Sequence, residues 1–152
     1  MSGEDELGPT YLLTWNPDDW EMDAEDYDAR VLVAHTTLGF INCWSLGTNY
    51  RQLQADDAVL LYRHGESAGI IAAGFAVSDP YPGDADGNEI DESSATRYWV
   101  QVLWNLWKPL DKSLPIDELI KLAPSTFGSP IRASGRRVHD AEADTLWSAF
   151  CA

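Results

Sequence analysis

The sequence predicts an α+β fold, a strongly curved β-sheet or small β-barrel flanked by short helices. Three observations predict it. Runs rich in Val, Ile, Leu, Tyr and Trp recur along the chain, separated by turns that contain Gly or Pro. Helical spacing is confined to short segments at the edges of that series. No internal repeat is present, so the strands belong to one sheet rather than to an array. At 152 residues the chain suits one domain with a real core. Residues 1–9 read as a flexible acidic tail and residues 10–152 as that single domain.

The elements follow in order. Residues 10–15 form a first strand that stops at Trp15-Asn16-Pro17, because Pro17 has no N–H and biases Asn16 away from helix. Residues 25–37 carry Tyr27, Val31, Leu32 and His35 at helical spacing, and this helix ends before Gly39. Phe40 to Trp44 is a short strand, and Leu46-Gly47-Thr48-Asn49 turns away from it. Asp57 to His64 and Gly69 to Ser78 are strands joined at His64-Gly65-Glu66-Ser67, a hairpin. Residues 79–94 hold Pro80, Pro82, Gly83 and Gly87 among many acids and read as an exposed loop. Arg97 to Trp107 is a strand. Pro115 to Leu122 is a short helix with Asp117 and Glu118 in its first turn. Asp140 to Phe150 is a terminal helix, with Asp140 as N-cap and Ala143, Leu146, Trp147 and Phe150 inward.

The net charge is −15. Residues 1–29 contain ten acids and no base, and residues 79–92 six more and again no base. The remainder carries +1, which leaves room for a locally basic face built from Arg51, Arg63, Arg132, Arg136 and Arg137. The acidity argues against tight binding that depends on phosphate contacts alone. It also fits a generally solvated acidic surface, one suited to salt. Cys43 and Cys151 are too few for a disulfide framework and lack metal-ligand spacing. No apolar run approaches the ~20 residues of a membrane span, and the acidic start lacks a signal-peptide core. The expectation is a cytoplasmic protein with no membrane partner.

Catalytic and metal chemistry find little support. Asp84-Ala85-Asp86-Gly87-Asn88 begins like a calcium loop, but Glu89 and Ala95 stand where that loop needs Gly and Glu. The histidines His35, His64 and His139 lie in unrelated contexts, and nothing near Cys43 supplies a base. No catalytic residue, metal or cofactor is expected. What remains is an aromatic and polar constellation: Trp15, Asn16, Trp20, Trp44 and Ser45, with Trp104 or Trp107 as further rings. Ring stacking contributes ~1–3 kcal/mol per base, and edge contacts discriminate between bases. Tryptophan pockets also hold methylammonium groups, and these residues alone do not separate the two ligands.

Trp15-Asn16-Pro17, Trp44-Ser45-x-Gly47, Asp57-x-Val59-x-Leu61-Tyr62-Arg63-x-Gly65, Gly69-Ile70-Ile71-Ala72-x-Gly74 and Ser78-x-Pro80-Tyr81 follow one another along the chain. Leu114-Pro115-x-x-Glu118-Leu119, Ser134-Gly135 and Leu146-Trp147 complete the series. In this order and spacing the chain resembles the PUA-like superfamily, and within it the EVE and EVE-like domains, some of them fused to HNH nucleases. The resemblance implies a PUA-like barrel with a pocket for a flipped, modified base such as 5-methylcytosine in DNA. It implies a pocket from Trp15, Asn16, Trp20, Trp44, Ser45, Arg63, Gly65, Ser134 and Gly135; of the basic residues in the charge map, Arg51, Arg132 and Arg136 are the candidates for contact with the nucleic-acid backbone. Trp44 should then be a ligand surface whose removal leaves the fold largely intact. The implied partners are modified DNA, or RNA, and a nuclease or other effector in trans. Phe127-Gly128-Ser129-Pro130 departs from the Trp and Gln of that pattern. Two other readings stay open: an acidic module that docks a basic protein, and a small enzyme or nucleotide-derivative binder on the same barrel.

Overall fold

The computed structural model describes residues 9–19, 21–36, 39–46, 51–95, 97–131 and 134–152. The elements are β1 (Thr10–Trp15), α1 (Ala24–Thr36), β2 (Phe40–Leu46), β3 (Ala58–Arg63), β4 (Gly69–Ala76), β5 (Tyr81–Gly83) and β6 (Arg97–Trp107). After them come β7 (Leu114–Pro115), α2 (Ile116–Leu122), α3 (Pro124–Phe127), β8 (Arg136–Arg137) and α4 (Asp140–Cys151). The strands form one sheet in the order β2-β6-β4-β3-β1-β8, with β5 beside β6 and β7 beside β4. β1 runs parallel to β3 from Thr10↔Ala58 to Trp15↔Arg63, and the other pairs are antiparallel.

Burial explains the sequence of each strand. The sheet curls around Leu13, Trp15, Trp44, Val59, Leu61, Ile71, Trp104 and Trp107. Its other face packs Leu12, Leu60, Ile70 and Ala73 on Leu119, Phe127, Leu146 and Phe150 of α2, α3 and α4. β1, β3 and β4 are thus covered on both sides, and they read as near-continuous apolar runs. β2 and β6 are covered on one side and alternate. The curl itself is set by two register shifts, at Leu61/Tyr62 and Ala73/Gly74. Gly74 is required at the second, since a Cβ there would stand 2.0 Å from the Leu103 carbonyl oxygen.

The structure corrects several expectations. Asp140 is not an N-cap. α4 starts at Asp140, His139 precedes it without a side-chain cap bond, and the Asp140 carboxylate turns back to Arg137 at 3.0 Å. Residues 79–94 are largely exposed, as expected, but they are not all loop. β5 lies on β6, Gly83 bridges Glu89, and the Asp84 carboxylate accepts from the N–H groups of Asp86 and Asn88. Trp147 is only half-buried, with its Nε1 on Thr10 Oγ1 and its ring stacked on Phe75 at 5.7 Å. α3, β7 and β8 were not foreseen. The turn at 47–49 lies outside the described residues.

Candidate functional site

The sheet path starts at β2 and ends at β1 and β8, and β8 pairs only Tyr11 and Leu12, so the curl leaves a seam between β2 and the Thr14–Trp15 end of β1. β2 is laddered along its β6 side, and among the described residues no strand pairs its other edge, which faces that seam. An open edge presents peptide N–H and C=O groups to whatever enters. The Trp44 side chain spans the gap: its Nε1 donates to the Thr14 carbonyl at 2.9 Å. Thr14 N–H in turn donates to Ser134 Oγ at 3.2 Å. Beside this bridge lies a cleft of about 570 Å³, within the ~300–1,000 Å³ of small-ligand sites, lined by Thr14, Asp19, Asn42, Cys43, Trp44, Ser45, Ala85, Arg97 and Trp99.

Each wall has a local cause. Asn16 Oδ1 accepts from Asp18 N–H, and Asn16 O from Asp19 N–H at 2.9 Å, a turn that carries Asp19 to the cleft. Trp104 Nε1, which can only donate, bonds Asn42 Oδ1 at 2.9 Å. That contact fixes the amide and leaves its NH₂ as the group available to a ligand. Trp99 is held by Nε1 on the Asp84 carbonyl at 2.8 Å, and Arg97 sits over its ring at 5.8 Å from the centroid. Gly87, at φ +86°, lets the acidic turn lie against Cys43; a Cβ there would meet Sγ at 2.3 Å. Burial pushes the Cys43 thiol up, which disfavours the thiolate. The lining therefore offers a carboxylate, an oriented amide, a hydroxyl, a guanidinium and parts of two rings, with Asn42 and Trp44 on one face of β2 and Cys43 and Ser45 on the other, so the cleft wraps the strand edge.

Of the residues singled out in the sequence, Trp44 and Ser45 line this cleft, and Asn16 and Ser134 build its support. Trp15 is 3% exposed and belongs to the interior, stacked on Tyr27 at 6.4 Å. Arg63 lies over Trp15 at 5.5 Å, away from the cleft lining, and two of its nitrogens are buried without a hydrogen-bond partner among the described residues. Gly135 donates to the Leu12 carbonyl, and exposed Gly65 (φ +85°) turns the β3–β4 hairpin. Arg51 is exposed and Arg136 pairs with Leu12; neither lines the cleft. Trp20 and Arg132 lie outside the described residues. Trp44, at 4% exposure, is a floor shared with the core, its ring edge-on to Trp104 at 5.8 Å.

Sequence reasoning missed Asp19, Asn42, Arg97 and Trp99 as lining residues. The signal for Trp99 is the β2–β6 register, which sets it opposite Ser45. That register is visible only once the two strands are known to pair.

The fold has counterparts among solved structures. A hypothetical protein from Leishmania major superposes with TM-score 0.61 at 17% identity, covering 98% of this chain and 97% of that one. Human THYN1, solved with 5-methylcytosine-containing DNA, gives 0.58 at 18%, covering 94% and 98%. The YTH domain of Zygosaccharomyces rouxii MRB1, solved with N6-methyladenosine RNA, gives 0.51 at 13%, covering 96% and 88%. These likenesses establish the PUA-like curled sheet. No curated protein matches the chain. The EVE domain family matches residues 13–149, nearly the whole length, and the chain belongs to that family.

Proposed function

We propose that this EVE domain reads a modified nucleobase, modified cytosine in DNA above all, by taking it out of the stack into the seam cleft. The observation that carries the reading is the oriented Asn42 amide in a cleft whose lining also includes Trp44, Trp99 and Asp19. Cytosine offers an exocyclic amino donor and two acceptors along its edge. Asp19 suits the donor; the Asn42 NH₂ and Ser45 hydroxyl suit the acceptors. Extruding a base costs a few kcal/mol. Stacking returns ~1–3 kcal/mol, so edge contacts must supply the rest. At −15 net charge the phosphate field cannot replace them. The fold shared with THYN1 and YTH structures solved with methylated DNA and RNA supports this ligand class. The raised Cys43 thiol favours binding over covalent chemistry.

The test is a titration of matched DNA and RNA oligonucleotides, with and without 5-methyl- or 5-hydroxymethylcytosine, at one fixed salt concentration. Selective binding of a modified DNA is expected. Equal, weak and strongly salt-dependent binding to all of them would end the specific-reader reading.

A further inference from the structure

We infer that Arg97 is the phosphate contact of the seam cleft and Trp99 its stacking platform, so that the cleft takes a whole nucleotide, base and phosphate together. This rests on the reading of the cleft as a base site. Arg97 and Trp99 are two apart at the start of β6, which puts both side chains on one face of the strand. Trp99 cannot swing. Its Nε1 is bonded to the Asp84 carbonyl, and the backbone lies so close on it that a Cβ at Gly83 would meet Cδ1 at 2.5 Å. Arg97 is the exposed and adjustable member of the pair, resting on the ring at 5.8 Å.

The other described cations lie outside the lining, Lys112 at a separate cavity, Arg136 on β8 and Arg51 exposed. Lys121 pairs with Glu118, and Arg137 with Asp140. Lys108 is tied to the Phe150 carbonyl at the end of α4. Arg63 and Arg30 lie over Trp15 and Trp107. Arg97 alone among the described cations lines the cleft. An exposed guanidinium resting on a half-buried ring is weakly held, and a phosphate oxygen offers it a charge-assisted, bidentate alternative. A phosphate contact positions the nucleotide without reading the base. Loss of Arg97 should therefore weaken every oligonucleotide by a similar factor.

The experiment measures Kd for modified and unmodified single-stranded DNA across a KCl series, for the wild-type chain, R97Q, R97K and W99L. Circular dichroism confirms that each variant is folded. R97Q is expected to bind both oligonucleotides more weakly by the same factor, and to change the slope of log K against log [KCl] by ~0.7, one single-strand phosphate contact. R97K should restore the slope. W99L should lose affinity with the slope unchanged. A wild-type slope in R97Q, or a loss confined to the modified oligonucleotide, overturns the assignment while the reader function stands. Failure of the wild-type chain to prefer any modified base removes that function and this inference with it.

Discussion

Trp44 and Thr14 are joined across the open seam of the sheet, indole N–H to main-chain carbonyl at 2.9 Å. No ladder joins β1 to β2 among the described strands, and this side chain links them instead. Because the ring is 4% exposed, it is core as well as cleft floor. Trp44→Ala should destabilise by ~3–5 kcal/mol, the usual cost of truncating a buried Trp. This reverses the expectation that the fold tolerates its loss. Trp44→Phe keeps a ring but orphans the Thr14 carbonyl, at a cost of about 1–3 kcal/mol. Urea titrations of both variants check the order, and a wild-type midpoint in Trp44→Phe would show that the tether contributes nothing.

Glu142 ties two helices together. Its carboxylate accepts from Ser125 N–H at 2.8 Å, and from Thr126 N–H and Oγ1 at 2.9 and 2.8 Å. Burial raises its pKa, but these hydrogen bonds outweigh that effect and hold the carboxyl below its ordinary 4.5. The stabilisation is therefore present above the unfolded-state pKa and fades as pH falls through the lower folded-state value. Glu142→Ala should cost ~1.5–3 kcal/mol at pH 7, the range for charged acceptors. The gap from wild type should shrink in acid. Chemical denaturation at pH 7 and pH 3 tests both the size and the sign.

How much of this was legible in the sequence depended on the range of the cause. Pro17 ends β1 through its own ring, so the strand end at Trp15 could be read locally. The β3–β4 hairpin followed from Gly65 and the flanking apolar runs, and α1 shifted by one residue. α3 has four residues and exists because Glu142, sixteen positions from Thr126, bonds its first turn. β8 has two residues and exists because β1 lies beside it. No local pattern encodes either. The site divides in the same way. Trp44-Ser45 was legible as an aromatic-polar strand end, but Trp15 alternates inward with Leu13 and Tyr11, and Trp99 enters through a strand pairing.

Gly87 and Cys43 form a coupled pair at the outer wall. A Cβ at Gly87 would stand 2.3 Å from Sγ, and the φ of +86° is one that L residues rarely adopt. Gly87→Ala should therefore destabilise by more than the ~1–2 kcal/mol of a left-handed residue alone. Cys43→Ala removes the colliding sulfur and leaves the backbone cost. In a double-mutant cycle the pair should be less destabilised than the sum of the singles. Strict additivity, measured by urea unfolding of all four proteins, would mean the turn moves aside and the two residues are not in contact.

Asn42 separates folding from recognition. Its oxygen accepts from Trp104 Nε1 and supports the core; its NH₂ is the part left for a ligand. Asn42→Asp keeps an acceptor for Trp104 and exchanges the donor for a second acceptor, so the unfolding free energy should move by no more than ~1 kcal/mol. Binding should respond differently. The acceptors of the base would meet a carboxylate, and loss of an edge contact is worth ~1–3 kcal/mol, about 5- to 150-fold in Kd. Asn42→Leu removes both halves, so it should weaken the fold and the binding together. Anisotropy titrations with the modified oligonucleotide, beside thermal melts of the same samples, distinguish the two variants. Wild-type affinity in Asn42→Asp would mean that the amide reads nothing, and that the seam cleft selects its base by shape and stacking alone.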